Sequence, residues 1–160
     1  MKEHIIRVAD WAADTGDTVL VTLGLGSCVA MVLYDAGTRT GAMAHLMLPS
    51  QALSQDRSRA GKFPETALPV LLERLAALGA SRHALRARLV GGASMFANVA
   101  MPGAPGMGER NVLAARDVLK AARIPVVGED TGKAHGRSVY FHLPDGRLEV
   151  RSVAHGNREV

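Results

Sequence analysis

Cys28 is the only cysteine among 160 residues, which excludes an intrachain disulfide and suits a reducing compartment where a free thiol persists. Aromatic residues are scarce as well, at 4%, so a core has to be packed from Val, Leu, Ala and Met. No apolar run is long enough to span a bilayer, and MKEHIIRVADW meets Glu3 and Asp10 before a signal-peptide core can form. Cytoplasm is the expected compartment, without membrane insertion. The net charge of +4 comes without a Lys/Arg tract interleaved with aromatics, so nucleic acid is not an expected partner. There is no phosphate loop ending in Gly-Lys-Ser/Thr. One cysteine with scattered His4, His83, His135, His142 and His155 gives no zinc spacing, and no metal is expected.

What is present suits one domain over 1–160, with its ends the least ordered. A hydrophobic fraction of 48% supplies the core, 21% charged residues is ordinary for a soluble protein, and 17 glycines point to many tight turns. Residues 5–11 read as a short strand or a partner-facing segment. The β-branched run at 18–23 reads as a strand, interrupted by the glycine-rich GLGSC at 24–28. Residues 28–34 and 40–48 read as two more strands. Pro49 ends the second of them, and 50–62 reads as a polar, mobile loop. Periodicity predicts helices at 65–79, with Pro69 disturbing its beginning, and at 109–123. A strand leading into a glycine turn covers 85–96, a loop covers 101–108, and the remainder alternates strands and turns, with a hairpin through LPDGR. Two helices among many short strands predict an α+β fold, a layered β-sheet core with packed helices.

The chemistry concentrates around Cys28. A two-residue turn at Ala36-Gly37 pairs Asp35 with Thr38 and sets Cys28 opposite His45, on one face of the hairpin. A thiol beside a histidine can attack a carbonyl, with the histidine as base and then as acid toward a departing amine. N–H groups of the turn at Gly24, Gly26 and Ser27 are candidates to hold the developing oxyanion. Thr22 is the candidate to orient His45, through its hydroxyl or its carbonyl. Each residue has a plainer reading too: Cys28 as a small core residue, His45 as a buried hydrogen-bonding residue, Thr22 as an ordinary strand residue. The glycines favour catalysis, because they form strands poorly and need another reason to be there. As a dinucleotide fingerprint GLGSCV fails, since Val29 stands at the third glycine position.

GLGSCVAMVLYD, AHLMLP at 44–49, GKFPETALPVLL at 61–72, VGGASMF at 90–96, GERN at 108–111 and EDTGKAHGRSVYF at 129–141 together resemble the CheD family, over about residues 17–150. The resemblance implies a fold like that of bacterial toxin cysteine deamidases. It implies Cys28 as nucleophile, His45 as its partner and Thr22 as the third member. The implied activity is hydrolytic deamidation of glutamine side chains on methyl-accepting chemotaxis receptors, through a cysteine thioester and without a cofactor. The CheC phosphatase is implied as a further partner, and a non-enzymatic chemotaxis adaptor is the alternative. The sequence departs from the family pattern at Phe63-Pro64-Glu65 and at Lys133, where relatives often carry glycine, which touches substrate contacts and loop shape more than the chemistry. Gly91, Gly92, Arg110, Asn111, Gly136 and Arg137 read as scaffold.

Overall fold

The structure is a computed structural model that describes residues 1–94 and 106–160. The expected loop at 101–108 lies largely outside the described residues, as does the end of the 85–96 segment. Among the described residues, ten strands form two sheets. One contains β1 (Lys2–Ile5), β3 (Thr18–Leu25), β8 (Arg137–His142), β9 (Arg147–Ser152) and β10 (Gly156–Glu159), in the order β1-β3-β8-β9-β10. The other contains β2 (Trp11–Thr15), β4 (Val29–Asp35), β5 (Thr40–Leu46), β6 (Arg86–Gly91) and β7 (Val126–Thr131), in the order β2-β5-β4-β6-β7. Helices α1 (Pro64–Ala77) and α2 (Met107–Ala121) pack on the second sheet. The expected α+β layered fold is the one observed.

The all-apolar sequence of β4, VAMVLY, follows from its place in the middle layer. A strand covered on both faces needs apolar residues at every position, not only at alternate ones. Val29, Met31 and Leu33 face the helices, where Leu68, Leu71 and Leu75 of α1 and Val112, Ala115 and Leu119 of α2 complete a core. Ala30, Val32 and Tyr34 face the first sheet and pack with Leu20, Met43, Phe141 and Val150. In the first sheet, β8 alternates buried and half-buried residues, as a strand with only one covered face should.

Two expectations are corrected here. Residues 5–11 are not one strand: β1 ends at Ile5, β2 starts at Trp11, and the chain between them turns through Ala9, whose φ is +67°. The β4–β5 hairpin pairs Asp35 with Thr40 and Ala30 with His45, so its turn has four residues, Ala36 to Arg39. The Asp35 carboxylate accepts the Gly37 N–H at 2.9 Å, and Arg39 takes a left-handed φ of +53° to rejoin the ladder. Cys28 therefore does not oppose His45. The error is a slip of two residues, and side chains on a strand alternate with a period of two, so both stay on the predicted common face.

Strands β2 and β10 have no expected counterpart, whereas β3 to β6, α1 and α2 match the expected segments with small shifts at their ends. Pro64 opens α1, where a missing N–H costs nothing, and the exposed Pro69 leaves the helix continuous. The 50–62 loop is tied internally: Arg57 Nε donates to the Gln51 and Ser54 carbonyls, and Lys62 Nζ to the Ser54 hydroxyl.

Candidate active site

The chain crosses from the first sheet to the second between β3 and β4, and Gly26, Ser27 and Cys28 form that crossing. Thr22, on β3, and His45, on β5, reach the same place from opposite sheets. Thr22 shares the inward parity of Leu20, His45 that of Met43, and Cys28 that of Ala30, all of which line the layer between the sheets. Cys28 is half-buried and packs against that layer. Thr22 and His45 thus meet in the inter-sheet core, and Cys28 packs against the same layer.

Hydrogen bonding fixes the state of His45. The Thr22 hydroxyl lies 2.6 Å from the Ile6 carbonyl and 2.6 Å from His45 Nδ1. A carbonyl cannot donate, so the single hydroxyl proton goes to Ile6, and Oγ1 accepts from His45 Nδ1–H. The Nε2 lone pair is then available as a base. Burial pushes the imidazole pKa from 6.5 down to about 4, so the ring is neutral at neutral pH. Nε2 is buried and, among the described residues, has no hydrogen-bond partner. The structure thus joins Thr22 to His45, whereas Cys28 Sγ is not hydrogen-bonded to Nε2. Burial also pushes the Cys28 thiol pKa up. The resting pair is a neutral thiol and a neutral imidazole, not an ion pair.

Nothing in the sequence signals how the 6–10 segment takes part. Besides the Ile6 carbonyl, Ala9 N–H donates to the His45 carbonyl at 2.9 Å and His45 N–H to the Asp10 carbonyl at 3.0 Å. These contacts clamp the histidine through backbone groups, which every sequence possesses and no motif can reveal.

The Cys28 turn is held equally firmly. The Gly26 carbonyl accepts from Ala93 N–H at 2.9 Å and the Cys28 carbonyl from Gly92 N–H at 2.8 Å. The Ser27 carbonyl accepts from Asn111 Nδ2 at 2.9 Å. At Gly91, φ is +109° and a Cβ would stand 2.3 Å from the Cys28 carbonyl oxygen, so only glycine allows this approach. Gly24 has a different part: it is exposed with φ +68°, and its N–H donates to the Ser138 hydroxyl at 3.3 Å. Arg137, fully buried, ties the neighbouring loops by pairing with Asp130 at 3.1 Å and donating to the Gly132 carbonyl at 2.8 Å.

The departures from the family pattern now have locations. Phe63 is wholly buried and Glu65 accepts the Gln51 N–H at 2.7 Å, so both serve packing and loop anchoring. Lys133 adopts φ +62°, a conformation that glycine enters freely, and its carbonyl accepts the Ser94 N–H at 2.9 Å.

Fold and site define an α+β protein with a half-buried thiol at the crossing between two sheets and a buried, neutral histidine bonded to a threonine hydroxyl. Comparison with known proteins then gives its family. The family described as CheD chemotactic sensory transduction matches residues 47–152. A protein of Caldanaerobacter subterraneus subsp. tengcongensis, named a probable chemoreceptor glutamine deamidase CheD, is 40% identical over the full length of both chains. Proteins named chemoreceptor glutamine deamidase CheD from Halalkalibacterium halodurans and Thermotoga maritima are each 40% identical, over 97% and 98% of this chain and 96% of their own. The chain belongs to the CheD family. The family match starts after His45, but the full-length relatives also span the stretch that carries Thr22, Cys28 and His45.

Proposed function

We propose that this protein hydrolyses selected glutamine side chains of chemoreceptor cytoplasmic domains to glutamate, with Cys28 as nucleophile, His45 as acid and base, and Thr22 as the residue that orients His45. The observation that carries the chemistry is the Thr22–His45 bond, which leaves Nε2 unprotonated at the end of the layer where Cys28 sits. The names of the full-length relatives support the substrate.

Cys28 Sγ bonds to the carboxamide carbon as its proton passes to His45 Nε2. The carbonyl oxygen gains charge, and the N–H groups of Ser27 and Cys28 are the candidates to meet it; among the described residues neither donates to a protein acceptor. The imidazolium returns its proton to the amide nitrogen, the C–N bond breaks, and ammonia leaves with a thioester on Cys28. Water then adds to the thioester carbon, giving its proton to Nε2. The C–S bond breaks, and Sγ recovers the proton. One water is consumed, one ammonia is released, and both residues return to neutrality. No cofactor enters these steps. A neutral pair suits a half-buried site, because charge appears only during reaction, when the donors can compensate for it.

Two apolar side chains that neighbour the proposed triad in sequence are open to a partner. Leu23, beside Thr22, is 49% exposed and Met47, two residues beyond His45, is 39% exposed. Purified receptor cytoplasmic domains incubated with wild type or Cys28→Ala and mapped by peptide mass spectrometry test the proposal. Conversion at defined glutamines by wild type alone is the expected result. A folded wild type with reduced Cys28 that converts none across a full receptor set would sink it, and the protein would then act as an adaptor.

A further inference from the structure

The 108–111 segment reads as scaffold in the sequence, but one of its side chains reaches both halves of the site. Asn111 sits in the first turns of α2 and is completely buried. Its Nδ2 donates to the Ser27 carbonyl at 2.9 Å and to the Met47 carbonyl at 3.1 Å. Ser27 immediately precedes Cys28, and Met47 lies two residues past His45. One amide nitrogen thus ties the backbone that carries the nucleophile to the backbone that carries the base.

The helix that carries Asn111 has little room to shift. A Cβ on Gly108 would lie 2.3 Å from the Ala93 carbonyl oxygen and 2.5 Å from that of Gly92, and a Cβ on Gly92 would lie 2.3 Å from Val112 Cγ2. Contacts this close require glycine on both sides and set α2 against the strand end that also holds the Gly26 and Cys28 carbonyls. Among the described residues, Asn111 Oδ1 is buried without a hydrogen-bond partner. An apolar side chain in its place would leave the Ser27 and Met47 carbonyls without this donor, at about 1–3 kcal/mol for each one left unpaired, and both belong to the segments that carry the proposed pair.

We propose that Asn111 is a positioning residue that sets the distance between Cys28 Sγ and His45 Nε2, an inference that rests on the cysteine–histidine chemistry proposed above. It touches no reacting atom. Its effect is to keep the two backbones at the separation from which thiol-to-imidazole proton transfer occurs.

The test compares Asn111→Ala and Asn111→Asp with wild type and with Leu119→Ala, which weakens the core on the same helix. Three quantities are read: the thermal midpoint, kcat and KM on receptor cytoplasmic domains, and the rate of Cys28 alkylation by iodoacetamide across pH. Asn111→Ala is expected to fold and to lose about 100-fold in kcat, the scale of a roughly 1 Å misplacement. KM should stay within about twofold, because binding contacts are untouched. Alkylation near neutral pH should slow about tenfold as His45 assistance is lost. Asn111→Asp, which turns an oxygen toward two carbonyls, should lose more. Leu119→Ala should lower the midpoint and leave kcat and the alkylation profile of the folded protein as in wild type. Wild-type kcat and alkylation in folded Asn111→Ala would overturn the proposal, as would equal losses in Leu119→Ala. Failure of both Asn111 variants to fold would also overturn it, by assigning the residue to the scaffold. Alkylation needs no receptor, so if wild type converts no receptor glutamine the deamidase reading fails, and the alkylation profile still decides the role of Asn111.

Discussion

Lowering the pH should destabilise this protein through His45 by an amount that the structure sets. The ring is 1% exposed, and its pKa falls from 6.5 to about 4 on burial. Between those values the unfolded chain binds a proton that the folded chain does not. Stability is therefore fully present above pH 6.5 and is lost as pH falls toward 4. The difference is on the order of 1 kcal/mol near pH 5.5 and roughly twice that near pH 4.5, if no other group intervenes. Other groups do titrate in that range, so the measurement is a comparison. Urea unfolding of wild type and of His45→Gln, near pH 7.5, 5.5 and 4.5, cancels the contributions the two proteins share. The wild-type curve should fall relative to the variant by the stated amounts. Two curves that run parallel through this window would refute the claim that His45 is buried as a neutral base. The same pKa shift gives turnover its acid limb, since the base works only while Nε2 is unprotonated. That limb should lie near pH 4, not near 6.5.

Three further outcomes follow from the geometry. Thr22→Val keeps the shape but removes the acceptor for His45 Nδ1–H, leaving a buried donor unpaired at about 1–3 kcal/mol and freeing the ring to take the other tautomer; Thr22→Ser should recover most of kcat, and equal kcat in the two variants would dismiss the orienting role. Gly91→Ala puts a methyl 2.3 Å from the Cys28 carbonyl at a φ of +109°. It should cost about 1–3 kcal/mol in urea unfolding and abolish most turnover, and a variant with wild-type stability and kcat would show that the approach is not tight. Lys133→Gly relieves a left-handed residue at φ +62°, for a net gain of up to about 1 kcal/mol after the added freedom of the unfolded chain; differential scanning calorimetry should show the midpoint raised, and a fall would mean that the lysine side chain stabilises the loop.

The parts of this protein that could be read from its sequence are those where side chains carry the information. The β-branched and apolar runs of β3, β4 and β5 and the periodic stripes of α1 and α2 mark their elements within a few residues, because burial selects side chains. The common face of Cys28 and His45 was legible for the same reason, since it depends only on parity. Their register was not legible. A four-residue turn through a left-handed Arg39 and an Asp35 side-chain bond looks, in sequence, much like a two-residue turn at Ala36-Gly37. Least visible was the backbone. The Ile6 carbonyl that decides the His45 tautomer, and the Ser27 and Met47 carbonyls that Asn111 joins, belong to residues whose identity matters little to the contact.

In the proposed triad, the choice of a hydroxyl as third member follows from where His45 sits. A carboxylate at the Thr22 position would lie in the inter-sheet core, at 0% exposure, where an unpaired charge is costly and tends to be neutralised by protonation. It would also stabilise the imidazolium and lift the histidine pKa, favouring a standing ion pair with Cys28. A threonine whose proton is already committed to Ile6 orients the ring and adds no charge. On the proposed mechanism the base stays neutral, the thiol keeps its proton until a substrate arrives, and a half-buried lone cysteine whose pKa burial raises carries little thiolate between encounters. On that mechanism, selectivity then rests on delivery of the carboxamide to the pair, at the spacing assigned above to Asn111.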